Sequence, residues 1–168
     1  MNRWLRLIRH RWQDDGDARR ALGAGALERL RERVTASELG HSGEIRICVE
    51  AGLPLSYLWR GATARERALT MFGKLGVWDT EANNGVLIYL LLADRCIEIV
   101  ADRGVSRRVS AAHWQAITAG MSEAFRSGRF EEGLTAAVDA VTQTLREHFP
   151  LAAGERNPNE LPDAPVLR

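Results

Sequence analysis

The chain has 168 residues, 45% of them hydrophobic and 27% charged, a formal net charge of +1 and two cysteines. That length suits one domain whose core buries roughly two-thirds of the unfolded surface, and the near-neutral charge gives no global pull toward nucleic acid, so no nucleic-acid partner is expected. Cys48 and Cys96 both fall in strand-like runs. They read as thiols of a reducing, cytoplasmic compartment rather than as a disulfide framework.

Residues 1–25 form a basic N-terminal segment. Trp4, Leu7, Ile8 and Trp12 recur at helical spacing with Arg3, Arg6, Arg9 and Arg11 between them, which predicts a short amphipathic helix and not a secretory signal. Such a helix either docks on the domain through its tryptophans or uses residues 1–12 for peripheral contact with the inner face of a membrane. Asp14, Asp15, Gly16 and Asp17 predict a turn.

From Ala26 to Glu38 the apolar positions Leu27, Leu30 and Val34 share one helical face. Glu44 to Ala51 alternates strictly, Ile45, Ile47, Val49 and Ala51 opposite Glu44, Arg46, Cys48 and Glu50, and predicts a strand with one dry face. Gly52 to Gly61 reads as loop, and Thr63 to Lys74 as a helix with Ala64, Ala68, Leu69 and Phe72 inward. Val86 to Leu92 is uninterrupted apolar and predicts a strand buried on both faces. Arg95 to Ala101 predicts its hairpin partner, with Asp94 and Arg95 as a two-residue turn.

Two helices follow, one capped by Ser110 with Trp114, Ile117, Met121 and Phe125 as its stripe, the other carrying Leu134, Val138, Val141 and Leu145. Residues 150–168 hold four of the five prolines and read as an unpacked or surface-laid tail. Interleaved helices and strands with one hairpin predict an α/β or α+β domain with a mixed sheet.

Phosphate-loop, dinucleotide, zinc-protease and serine-hydrolase signatures are absent from the sequence. His10, His41, His113 and His148 are scattered and read as surface or cap residues rather than a zinc site. One constellation stands out at the open end of the hairpin, where the loop from Trp78 to Asn84 meets Asp102, Arg103 and Gly104. Asp79, Glu81, Asn83, Asn84 and Asp102 supply hard oxygen donors suited to calcium or magnesium, and Arg103 supplies a binding cation beside them. The alternative is a plain turn, since Asn-Asn-Gly is good turn chemistry and Arg103 neutralises the acids.

His41-Ser42-Gly43-Glu44-Ile45-Arg46, Asn83-Asn84-Gly85-Val86-Leu87-Ile88, Asp94-Arg95 with Ile97-Glu98-Ile99, and Asp102-Arg103-Gly104 together resemble the TPM domain family over residues 26–149. The chain looks like a cytoplasmic, single-domain member of proteobacterial type. The resemblance implies a Rossmann-like α/β/α sandwich whose mixed sheet contains a central β-hairpin. It also implies a divalent cation at the loop end of the sheet, carried over here to residues 79–84, and roles in assembly of membrane complexes or a phosphatase activity. Where members carry Gly-x-Gly-Leu after the hairpin, this chain reads Ala101-Asp102-Arg103-Gly104-Val105.

Three functional classes result, the third of them a peripheral membrane adaptor that rests on the N-terminal helix alone. The first is a non-enzymatic binding or scaffold domain that engages another protein or a membrane complex through the loop end, with calcium or magnesium there. The second is a metal-dependent phosphatase in which the ion activates water and Arg103 clamps phosphoryl oxygens.

Overall fold

The computed structural model describes Arg6, Leu7, Arg9, His10 and residues 15–168. Trp4, Ile8 and Trp12, on which the N-terminal amphipathic pattern rests, lie outside the described residues. The elements run α1 (Asp15–Leu22), α2 (Ala26–Glu38), β1 (Glu44–Glu50), α3 (Leu55–Trp59), α4 (Ala64–Lys74), β2 (Gly85–Leu91), β3 (Cys96–Ala101), α5 (Arg103–Ser106), α6 (Ala111–Arg126), α7 (Phe130–His148) and β4 (Val166–Leu167). Helix α1 takes in Asp15, Gly16 and Asp17, where a turn is expected, and α3 replaces loop or irregular strand within 52–61.

The sheet order is β3-β2-β1-β4, with β1 parallel to β2 and β4 and the β2–β3 hairpin antiparallel. Helices cover both faces, which makes the domain an α/β sandwich. All seven residues of β2 are buried, as an apolar run between two helical layers must be. On one face Ile45, Ile47, Val49, Val86, Ile88, Leu90, Ile97 and Ile99 pack under α1, α2, α6 and α7. On the other, Cys48, Leu87, Tyr89, Leu91 and Val100 pack under α3 and α4.

The helices begin where local chemistry starts them. Thr63 and Glu66 form a reciprocal capping box on α4, and Ser110 accepts the His113 amide at the start of α6. Gly133 admits the Phe125 ring, which would lie 2.6 Å from a Cβ at that position, so α6 and α7 close tightly over the sheet.

Three expectations fail, and one of the two alternatives for the tail is decided, for one reason, namely partners from distant segments. Strand β1 is buried on both faces, because Glu44 and Glu50 find partners inside. Helix α4 turns Arg67 and Met71 inward and leaves Leu69 exposed, because Arg67 pairs with Glu50. His10 and His41 are buried rather than superficial, each held by hydrogen bonds. The tail packs: β4 pairs with Cys48 and Val49, Leu161 is buried, and Asn157 donates to the carbonyls of His41 and Gly43.

The hairpin turn also differs. Cys96 pairs with Leu91 rather than Ala93, so the connection is the four residues 92–95, with Arg95 at φ 51°. Leu92 and Ala93 instead continue along β1, donating to the carbonyls of Glu50 and Ala51. Asp94 is drawn to the N-terminal segment, accepting from Arg6 at 2.9 Å, Arg9 at 2.6 Å and His10 Nε2 at 3.1 Å. His10 Nδ1 accepts the Leu53 amide, so Nε2 carries the proton given to Asp94. Burial opposes ionisation of Asp94, but the hydrogen bonds from His10 and Arg6 outweigh it and hold the carboxyl well below its usual range.

Candidate functional site

The loop between α4 and β2 is shaped by its own small polar residues. Asn83 adopts φ 52°, a left-handed conformation that asparagine tolerates, and its amide reaches the Thr80 carbonyl. Thr80 Oγ1 accepts the Asn84 amide at 3.1 Å. The loop then docks on the start of α5: the Gly104 amide donates to the Asn83 carbonyl at 2.9 Å, and a Cβ on Gly104 would lie 2.5 Å from that same oxygen. Gly104 is therefore required by close approach, not by its backbone angle.

The structure brings Asn83, Asn84, Asp102, Arg103 and Gly104 together, as the hairpin geometry predicts. The Asp102 amide donates to the Gly85 carbonyl, two residues out of the expected register but in the same neighbourhood. Asp79, Glu81 and Asn83 stand exposed on the outer loop, and the Glu81 amide is held by Glu160 of the tail. Arg103 is exposed at the first turn of α5, its amide capped by Asp102 Oδ1 at 2.7 Å.

Asn84 and Asp102 are buried, and each keeps one acceptor without a partner, Asn84 Oδ1 and Asp102 Oδ2. Asn84 Nδ2 is used on the Ser42 carbonyl, which orients the free oxygen. A buried acceptor left unpaired costs on the order of 1–3 kcal/mol. The two residues stand on adjoining segments, and Asp79, Glu81 and Asn83 are exposed on the outer loop that leads into Asn84. Among the described residues no group of three or more His, Cys, Asp or Glu side chains is arranged to hold a metal ion. Amides would therefore have to complete any cation shell here.

Sequence reasoning missed a second polar group, at the start of β1. Glu38, His41 and Glu44 are all buried; Glu38 Oε1 accepts the Ile45 amide and Glu44 Oε2 the Leu161 amide, while Glu44 Oε1 and His41 Nε2 lack partners. Burial, reinforced by the nearby Glu44 charge, pushes the Glu38 carboxyl up to about 8. Burial pushes His41 down to about 4. The strict alternation of β1 was the available signal, since it placed Glu44 and Glu50 on a face that the helices later cover.

These shifts have opposite signs in stability. The raised Glu38 value gives stability that is complete below its ordinary value and lost as pH rises through about 8; the depressed His41 value gives stability present above its ordinary value and lost as pH falls through about 4. Between the two ordinary values the trends oppose each other. Above about pH 6.5, the ordinary value of His41, the His41 trend has ended and the Glu38 trend remains, in the same sense as that of Glu44, which burial also raises, so the wild-type protein should lose stability between that pH and 8. Urea unfolding of Glu38→Gln should show a flatter profile over that interval; an unchanged slope would assign the dependence elsewhere.

At the opposite end of the parallel strands Glu50 accepts from Arg67 through both oxygens, at 2.5–3.1 Å, and from the Tyr89 hydroxyl at 2.6 Å. Arg67 also lies 4.9 Å from the centre of the Tyr57 ring. In α/β sheets ligands commonly enter at this end. Here that end carries the Glu50 network and the Arg6–His10 clamp on Asp94.

Among solved structures, the chain is similar to the BA42 protein of the psychrophilic bacterium Bizionia argentinensis, at 25% identity over 87% of this chain and 94% of that one, with a TM-score of 0.74. It also shares a fold with the N-terminal domain of a protein from P. gingivalis, at 24% identity over 78% of this chain and 82% of that one, with a TM-score of 0.63. No curated protein matches it. The TPM domain family matches residues 17–144, three-quarters of its length and every element from α2 to β3 together with the helices that cover them, and the chain belongs to that family.

Proposed function

We propose that this TPM domain is a binding or scaffold module that engages another protein, or a membrane complex, through the loop end of its sheet, with calcium or magnesium as part of that surface. The observation that carries this reading is that Asn84 and Asp102, on adjoining segments, each keep a buried, unpartnered oxygen, while Asp79, Glu81 and Asn83 are exposed on the same loop as Asn84. Oxygen-only donors of this kind suit hard divalent cations, and Arg103 at the rim suits an anionic group on a partner. The cationic groups of Arg6 and Arg9 are engaged with Asp94, which favours a clamp on the hairpin over peripheral membrane contact for the N-terminal segment. No helix among the described residues is long and apolar enough to cross a membrane.

A cation that binds only the folded state raises stability by linkage. Calcium or magnesium at millimolar level is expected to raise the Tm of the native protein. Asp79→Ala with Glu81→Ala is expected to remove that rise and leave the apo Tm nearly unchanged, because both side chains are exposed. A double variant that responds like the parent would sink the cation reading. The second reading, a metal-dependent phosphatase, rests on Arg103 beside the same oxygens; hydrolysis of a phosphate monoester that depends on the ion and is lost in Arg103→Ala would favour it.

A further inference from the structure

Strand β3 is the outer strand of the sheet, and its free edge lies open to a cleft. In an antiparallel pair, hydrogen-bonded and non-bonded residue pairs alternate. The Asp102 amide donates to the Gly85 carbonyl, so the bonded pairs continue through Val100, Glu98 and Cys96, and Ile97, Ile99 and Ala101 turn their backbone groups away from β2. Two contacts agree with that parity: Arg65 donates to the Ile99 carbonyl and Ser106 Oγ to the Ala101 carbonyl at 3.1 Å. The amides of Ile97, Ile99 and Ala101 have no such partner among the described residues.

The cleft along this edge has a volume of about 640 Å³ and runs between Arg65 of α4 on one side and Trp114, Gln115 and Thr118 of α6 on the other. Trp114 is 7% exposed, and its indole N–H is a buried donor without a partner. The three outward amides of the edge therefore ask for the carbonyl oxygens of a paired chain, with the buried indole N–H beneath them. Within the cleft Arg65 is paired with Glu98 at 3.6 Å, so the unbalanced positive charge lies at its ends, on the exposed Arg95 before β3 and on the exposed Arg103 and Arg107 after it. The cleft is bounded by helices on both faces of the sheet, so it receives a single extended chain more readily than a second copy, which would bring its own α4 and α6 to the same edge.

We propose that the β3 edge is a strand-addition site for an extended, acidic segment of a partner protein, paired along Ile97 to Ala101 as a fifth strand of the sheet. Main-chain pairing supplies affinity in this mode, and alternate side chains supply selection. Side chains of the added strand on the α6 side would rest by Trp114 and Thr118, and those on the α4 side would meet Arg65. This edge does not depend on the loop-end cation reading.

The probe is a blocked six-residue peptide alternating glutamate and valine, compared with one alternating lysine and valine and with a form of the first N-methylated at every second residue. Amide hydrogen exchange on the full chain should slow at Ile97, Ile99 and Ala101 with the acidic peptide and remain unchanged with the N-methylated one, and the basic peptide should bind more weakly. Ala101→Pro removes an outward amide without touching a bond to β2, a substitution suited to edge strands, and should weaken binding about tenfold for the loss of one main-chain bond and its neighbours. Trp114→Phe should weaken it by a smaller factor. Unchanged exchange at the three amides in the wild-type protein would overturn the proposal, whatever the variants do. Binding that is equally tight for the N-methylated peptide would overturn it as well, since contact without backbone pairing is not strand addition.

Discussion

Ile88→Asp is expected to abolish cooperative folding. Ile88 is fully buried on the central strand, flanked in register by Ile47 of β1 and Ile99 of β3, and its face is sealed by the layer of α1, α2, α6 and α7. Its neighbours in register on both strands are isoleucines, neither of which can pair with an introduced carboxylate. An unpaired buried charge costs several kcal/mol even after its pKa shifts, and a domain of this size has a total stability of about 5–15 kcal/mol. Far-ultraviolet circular dichroism in urea should show no sigmoidal transition for Ile88→Asp, while Ile88→Val should lose only about 0.5–1.5 kcal/mol. A cooperative, near-native transition for the aspartate variant would mean that β2 is not the buried centre of the sheet.

Arg67→Leu is expected to be the most damaging change outside the apolar core. Its guanidinium meets both oxygens of Glu50, and the two side chains are 8% and 4% exposed. The hydrogen bonds to Glu50 raise the Arg67 pKa, and burial followed by the adjacent Glu50 charge raises that of the Tyr89 hydroxyl, so both stay protonated. Removing the arginine leaves a buried carboxylate with only the tyrosine hydroxyl, and breaking one side of such a pair costs about 3–5 kcal/mol. Replacing Glu50 and Arg67 together by leucine, with Tyr89→Phe, should recover most of that loss, since an apolar network of similar volume avoids the desolvation cost. Urea midpoints of the single and triple variants test this. A single variant within about 1 kcal/mol of the parent would mean that water reaches Glu50.

The two predictions draw on different kinds of information. Burial of Ile88 was legible in the chain, because seven consecutive apolar residues from Val86 to Leu92 between turn signals admit few placements other than an inner strand. The same holds for α6 and α7, whose apolar residues repeat at helical spacing behind recognisable starts. The pairing of Arg67 with Glu50 was not legible. Arginine at position 67 reads as a solvated residue on α4 until the fold sets that helix over β1.

For the candidate site, the meeting of the 78–84 loop with Asp102 and Arg103 followed from the hairpin alone, because antiparallel pairing brings both ends of the hairpin together in any nearby register. Which oxygens are buried and unpartnered did not. Asn84 and Asp102 owe that to the docking of the loop on Gly104 and to the Ser42 carbonyl, contacts between segments far apart in the chain.

Periodicity and turn chemistry are local, so the sequence by itself determined the central strand, its hairpin, the principal helices and the neighbourhood of the loop end. The tertiary structure alone decided the four-residue turn, the buried acids Glu38, Glu44 and Glu50, the clamp of Arg6, Arg9 and His10 on Asp94, and the return of the proline-rich tail as β4. Each of these joins groups whose partner lies many residues away. The physical reason is that a polar side chain has no preferred side of a strand or helix on its own, and takes one only when a distant donor or acceptor offsets the cost of leaving water.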